Sequence, residues 1–377
     1  MSIKFRLAYL NEYPKISRFI NKEWKKNHAY TRSKALFKWT FKDNPKWKKS
    51  NYSISLAIEK DKIIGMLGVI PFKLNIYGKL TKACWLVNWF TIREKRNGPT
   101  GLKLLNLFTK KDGYNKISFG INNTIKKLYS ALDWQHMPKI LRIEWIDHTK
   151  INEVKKFLKK SNPSATLKEI NDYISRHNNV LKHAANTPKQ TLASIKPDLW
   201  NKYGWLPWSK KIIGCSRDFS YLNWRYLEHP NYKYESRILF EGKKIGLIIW
   251  RIEITKINLP NGKYKNYHNF ARIVEFLPVS KSNAESLISI FITDATKAGA
   301  IAADFYNYNI SLISMLKKLG FRLAKNESHI SLPNFTQPIL KNNAIRSCIK
   351  ISSKNKKPLK NYDWYWTISD SDQDRLN

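Results

Sequence analysis

A chain that repeats itself has to fold as two copies of one unit, and this sequence repeats itself. The stretch FKWTFKDNP (37–45) returns as LNWRYLEHP (222–230), with Trp39 and Pro45 each 185 residues before Trp224 and Pro230. Later features recur 187 residues apart: Val87, Asn88 and Trp89 align with Val274, Glu275 and Phe276, and Asn122, Tyr129, Leu132 and Trp134 with Asn309, Leu316, Leu319 and Phe321. Between these stretches the hairpin glycines Gly65 and Gly246 lie 181 apart, so only the hairpin length drifts. A near-constant offset over such a span identifies a tandem duplication, and a period of this kind governs every local reading.

Each unit reads in the same order. In the first, a strand near 3–9 leads into helices, the second carrying Trp39. A hairpin turning at EKDK follows, then a long strand (84–92), a helix from about 101, a short strand (115–120), a helix over 123–132 and final strands near 140–147. Strands alternating with helices predict an α/β fold, here an α+β arrangement with a mixed sheet in each unit. The domain organisation expected is a first unit over 1–148, a polar linker with one helix over 149–204, a second unit over 205–335, and a C-terminal extension over 336–377 able to add a strand.

Composition supports two folded cores. With 377 residues, 42% apolar, including 14 Trp, 19 Tyr and 17 Phe, the chain can bury enough surface to stay ordered. Three dispersed cysteines (Cys84, Cys215, Cys348) argue against a disulfide framework or a cysteine zinc site, so no metal is expected. No apolar run reaches the ~20 residues of a membrane span, and the first residues lack the apolar core of a signal peptide, which predicts a cytoplasmic protein. The net charge of +40 fits either a polyanion-binding surface, peripheral membrane contact included, or a lysine-rich compositional bias: 53 of the 68 cations are lysine.

The turn REKRNGPTGLKLL joins the long strand to an amphipathic helix. Gly98 and Gly101 let backbone approach a ligand there, the helix start offers free N–H groups, and Arg93, Lys95 and Arg96 add charge, a pattern suited to phosphate. It is neither a Walker loop nor a dinucleotide fingerprint. Glu275 is a candidate base or a paired structural carboxylate. The tail YDWYWTISDSDQDRLN is either a solvated terminus or a strand folding back to supply Asp370 and Asp372 to an amine pocket.

The order of elements resembles the GCN5-related N-acetyltransferase superfamily, over roughly 1–148 and 205–330. Its pyrophosphate loop, Gln/Arg-x-x-Gly-x-Gly/Ala, is met by Arg96 and Gly101, with Pro99 in place of the middle glycine. Its later spacing of Asn, Tyr and Gly-Phe is met by Asn122, Tyr129 and Asp133-Trp134. The resemblance implies a duplicated acyl-CoA N-acyltransferase fold and an enzyme that transfers an acyl group from acetyl-CoA or another acyl-CoA. It places the coenzyme over Trp89, Phe90, Thr91, Arg96, Asn97, Gly98, Thr100, Gly101, Leu102 and Asn122. It makes Tyr129 the acid that protonates the leaving thiolate, against the alternative of a packed tyrosine. In the second unit Gly98 and Gly101 become Glu285 and Ile288, so that copy is expected to be degenerate and unable to hold pyrophosphate. The acceptor expected is an amine on a sugar nucleotide or other cell-envelope precursor, a small molecule with or without phosphate. The alternatives are an aminoacyl-tRNA-dependent transferase of the peptidoglycan-bridge type, with tRNA as partner, and a non-catalytic polyanion-binding protein.

Overall fold

The computed structural model of the protein describes residues 2–109, 113–177, 184, 190–258, 264–324, 330, 332, 345–351, 363–372 and 374. Two mixed sheets form its frame. In the first, β1 (Lys4–Leu7), β2 (Ile54–Glu59), β3 (Lys62–Ile76), β4 (Lys79–Thr91) and β5 (Asn115–Phe119) lie side by side. The outer edge is completed by β14 (Ser347–Lys350) and β6 (Gln135–His136). Two short strands, β8 (Ile213–Cys215) and β15 (Trp364–Tyr365), extend it from β3. The second sheet runs β13 (Arg322–Leu323), β7 (Leu141–Ile146), β12 (Ala300–Asn307), β11 (Tyr264–Leu277), β10 (Lys244–Asn258), β9 (Glu235–Glu241).

Local chemistry accounts for the punctuation. The EKDK hairpin closes with Lys60 and Asp61 both at positive φ (49° and 59°), the twist that two-residue hairpins favour. Helices α1 (Tyr13–Phe19) and α2 (Lys34–Phe41) precede β2, and α3 (Thr100–Thr109) follows β4. Helix α4 (Asn123–Ala131) starts at Asn122, whose Oδ1 accepts from Ile125 N at 2.9 Å. Its counterpart, Ile310–Lys318, starts at Asn309, which accepts from Leu312 N at 3.1 Å. The 187-residue offset is thus a repeat of structure, caps included.

The unit boundaries differ from those the sequence predicts in three places. First, β7 was expected to end the first unit but lies in the second sheet between β12 and β13, while β14, from the C-terminal extension, takes the matching slot between β5 and β6. The crossing segments bond to each other, Met137 N donating to Ser347 O and Ile140 N to Ile345 O. Buried charge selects the exchanged partner: Arg142 on β7 meets Asp304 on β12 at 2.9 Å, and both are buried. The pair belongs to a larger buried cluster, since Arg272 on β11 also meets Asp304 at 2.9 Å and Arg142 meets Glu144 of its own strand at 2.9 Å, so moving β7 would break up that cluster.

Second, the stretch read as a linker with one helix is a layer of two, α5 (Ile151–Ser161) and α6 (Leu167–Ser175). They bury Val154, Phe157 and Leu158, and Ile170, Tyr173 and Ile174, against Ile146, Phe270, Ile301 and Ala302 of the second sheet. Third, the second unit begins before 205: Ile238 N on β9 donates to Gln190 O, the place β1 holds beside β2. One apolar core runs through both units, with a smaller one beside it in each. At its centre the two echoing motifs meet. Trp39 and Trp224 stack at 4.5 Å and 15°, and each indole donates to the other's carbonyl, Trp39 Nε1 to Trp224 O at 2.9 Å and Trp224 Nε1 to Trp39 O at 3.3 Å.

Candidate active site

In the first unit β4 and β5 pair in parallel from Ala83–Asn115 to Leu86–Ser118. There the ladder ends, while β4 runs on to Thr91 beside β3 alone. The register against β3 slips between Met66 and Gly68, and within that irregularity Asn88 sits at φ 55°. Few non-glycine residues adopt that backbone conformation, and asparagine is among those that do. Its side chain is buried, and neither Oδ1 nor Nδ2 has a hydrogen-bond partner. A buried amide left bare costs about 1–3 kcal/mol, so this position is expensive unless a ligand or water completes it. From sequence Asn88 stands only as the counterpart of Glu275, and an amide cannot serve as the base; a polar residue in an otherwise apolar strand, CWLVNWF, is the signal for a further role.

The expected coenzyme-binding residues gather at this end of β4. Arg93, Arg96, Asn97 and Gly98 are exposed on the turn, Leu102 on the first turn of α3 and Asn122 at the start of α4. Thr91 and Thr100 are buried, while Gly101 and Phe90 are half-buried. Arg96 folds back, its Nε donating to Thr91 O at 3.0 Å and its guanidinium lying 5.0 Å over the Phe90 ring. Lys95 is paired with Glu59 at 2.8 Å. Trp89 lies across the start of α3, its ring 3.5 Å from where a Cβ on Gly101 would stand.

Trp89 also stacks on Tyr129 at 6.0 Å, and Tyr129 on Trp134 at 4.1 Å. Tyr129 is buried beneath them with its hydroxyl hydrogen-bonded to Ser118, and burial holds its pKa well above the ordinary tyrosine value. In this conformation the phenol faces the sheet, and Trp89 stands between it and the turn.

The expected carboxylates lie elsewhere, in the core shared by the two units. Glu275 Oε1 accepts from Arg217 Nε at 2.8 Å and from the Tyr226 hydroxyl at 2.6 Å, and Oε2 accepts from the Tyr365 hydroxyl at 2.7 Å. Asp370 accepts from Arg217 at 2.7 Å and from the Tyr221 hydroxyl at 3.1 Å. Burial pushes the Glu275 carboxyl up, with Arg217 beside it pulling the other way. Asp372 is buried beside Ser371. Asp374 meets Arg251 at 2.8 Å and the Tyr234 hydroxyl at 2.6 Å; burial raises its carboxyl, but Arg251, Arg225 and Arg272 more than offset that and hold it below the usual range. The tail is therefore not a solvated terminus: every described residue from Trp364 to Asp374 is buried. Arg217, which gathers Glu275 and Asp370, carried no local sequence signal.

Neither a family model nor a curated protein matches the sequence. Solved structures do match in fold. A GCN5-related N-acetyltransferase from Anabaena variabilis aligns at TM-score 0.54 and 13% identity, covering 93% of this chain and 73% of its own. An Enterococcus faecalis protein of unknown function, described as a probable N-acyltransferase, aligns at 0.54 and 11%, covering 92% and 72%. Saccharomyces cerevisiae N-myristoyltransferase with bound myristoyl-CoA aligns at 0.53 and 14%, covering 92% and 78%. The chain has the two-unit N-acyltransferase fold of these proteins. Among the described residues no helix is long and apolar enough to cross a membrane.

Proposed function

We propose that this chain is an acyl-CoA-dependent N-acyltransferase whose first unit holds the acyl-CoA. The acceptor we propose is an amino group on a sugar nucleotide or other cell-envelope precursor. The observation that carries the reading is the parting of β4 from β5 beside the basic glycine turn, where Asn88 presents a buried amide with both polar atoms unpaired. A neighbour of the same fold is solved with myristoyl-CoA over a span matching 92% of this chain, which supports acyl-CoA in general and leaves the acyl length to experiment.

The chemistry asks little of side chains. The acceptor gives its ammonium proton to water, and the neutral amine attacks the thioester carbonyl, releasing its second proton to water as the amide forms. The tetrahedral oxyanion is held by backbone N–H groups of the 88–91 segment, and collapse forms the amide and expels the thiolate. The thiolate then takes a proton, which we assign to Tyr129. For that, Trp89 must swing off Gly101 so that the phenol meets the sulfur, a motion that coenzyme binding would drive. Holding the two reactants in line supplies most of the acceleration.

Calorimetry with acetyl-CoA and myristoyl-CoA tests the reading, using Gly101→Glu to put bulk and negative charge where pyrophosphate would lie. Binding should be abolished in that variant, and unchanged affinity would place the coenzyme elsewhere. In a turnover assay Tyr129→Phe should lower kcat about ten- to a thousandfold with acyl-CoA affinity kept. A purely packed tyrosine would leave kcat intact, since Leu316 already fills the matching place in the second unit.

A further inference from the structure

Where β11 ends and the seventeen-residue helix Lys281–Lys297 begins, the second unit carries a surface pocket of about 310 Å³. Its position repeats that of the glycine turn in the first unit, since its lining residues Asn309 and Met315 stand 187 residues after Asn122 and Leu128. One wall is apolar, formed by Trp208, Ile212, Leu312 and Met315. The rim carries Lys211, Lys244 and Lys281, and no ion pair ties any of them among the described residues. Asp363, the carboxylate in the lining, is engaged by the Tyr77 hydroxyl. Ser280, also in the lining, caps the helix, so that its first amides add to the positive field. The repulsion expected from Glu285 does not arise there, because Glu285 is exposed and does not line the cavity.

The cavity cannot continue as a coenzyme channel. In the first unit a thioester arm would run along β4; the matching route along β11 is closed, because Phe276 N donates to the Tyr365 hydroxyl at 3.0 Å. A ligand entering here must end here, and 310 Å³ suits a phosphorylated ring system of modest size. Trp208 offers a fixed stacking face, its indole N–H held by Pro278 O at 3.1 Å. We propose that this cavity binds the phosphate-bearing end of the acceptor, as a site for a nucleoside diphosphate: the lysines take the phosphates, and Trp208 and the apolar wall take the base. The proposal deepens the acceptor half of the proposed function and rests on that reading for its choice of ligand. Binding here needs no acyl-CoA, so the two can fail separately.

The test is calorimetry on the full chain with UDP and with pyrophosphate, at low and at raised salt. UDP should bind in a salt-sensitive way and roughly tenfold or more tighter than pyrophosphate, the share expected from stacking a base. The combined variant Lys211→Gln, Lys244→Gln, Lys281→Gln changes only exposed positions and should keep the fold, while weakening UDP at least about tenfold. Ser311→Trp, at the exposed lip, should block UDP by filling the space. Gly101→Glu in the first unit should leave UDP binding unchanged while abolishing acyl-CoA binding. Absence of UDP binding at millimolar concentration, UDP no tighter than pyrophosphate, undiminished binding in the lysine variant, or loss of UDP in Gly101→Glu would each overturn the assignment. Failure of acyl-CoA to bind would instead strike the proposed reaction and leave a positive UDP result standing.

Discussion

In the first unit the ladder between β4 and β5 stops at Leu86 and Ser118, and side chains of that same unit, Trp89 and Tyr129, close the space beyond. In the second unit the ladder between β11 and β12 stops at Ile273 and Phe305, and the space beyond is closed by Tyr365 and Ser369, brought in from the end of the chain. The first closure is a stack of rings, of which Trp89 is half-buried. The second is a network in which each nitrogen of the buried Arg217 guanidinium finds an acceptor: Glu275, Asp370 and Cys215 O. A ring stack can part at modest cost, whereas a satisfied buried ion network cannot lose one member without stranding the others. The same place in a duplicated fold is closed by a ring stack in one copy and by an ion network in the other.

That contrast can be broken by removing one member of each closure. Asp370→Ala leaves Arg217 buried with half its charge uncompensated and should cost about 3–5 kcal/mol, a large share of the ~5–15 kcal/mol that holds a protein folded. Trp89→Ala removes a half-buried ring and should cost roughly half of what a fully buried aromatic does, about 2 kcal/mol. Urea denaturation of both variants measures the difference. Equal losses would mean that the two closures are alike.

The duplication, the hairpins and the repeated helices were legible in the sequence because each is set by neighbours; the cap that Asn122 makes on its helix is seen only in the structure. The strand exchange was not. LRIEWI reads as the same strand in either sheet, and the buried partners that Arg142 meets there include Asp304, 162 residues later. The helices over 151–161 and 167–175 were written in the spacing of Val154, Phe157 and Leu158 and of Ile170, Tyr173 and Ile174, but lysine and asparagine around them made the stretch look like a linker. For the candidate site, the turn 93–102 follows from its glycines, while the meeting of Glu275 with Asp370 depends on Arg217, distant from both in sequence.

Acid should also separate the halves, because two buried histidines that resist protonation both belong to the second half of the chain's architecture. His229 lies beside Trp39; its Nδ1 accepts from Tyr232 N at 2.9 Å, and burial, with Arg225 adding, lowers its pKa from 6.5 to about 3. His177, at the end of α6, is lowered by burial to about 4. Between those values and 6.5 the unfolded chain binds protons that the folded one refuses, so stability falls as pH drops through 6.5 and goes on falling toward 4 and then 3. At pH 5 the loss should be about 2 kcal/mol per histidine. Glu144 and Glu275, pushed up by burial, act in the opposite sense, so the informative quantity is the difference between the parent and His229→Asn, which keeps an acceptor and cannot ionise. Melting curves from pH 7 to 5 should converge as His229→Asn escapes its share, and hydrogen exchange should place the first acid opening in the second unit. Parallel curves would remove His229 from the account.

The smallest effect belongs to the place where the two echoing motifs meet. Trp39 and Trp224 each give an indole N–H to the other's carbonyl and share one stacked face, so neither copy is donor or acceptor alone. Replacing either by Phe removes one hydrogen bond, keeps a ring of smaller area in the stack, and should cost about 1 kcal/mol. The 2.9 Å bond from Trp39 should be worth slightly more than the 3.3 Å bond from Trp224. Because the rings touch, the double variant should depart from the sum of the singles by roughly 0.5 kcal/mol or more, which is the coupling that contact produces. Thermal unfolding of the two single variants and the double variant measures it directly. A clear inequality between the singles, or strict additivity in the double, would show that even this junction has diverged, and that the repeated phrase survives for the fold of each unit rather than for the contact between them.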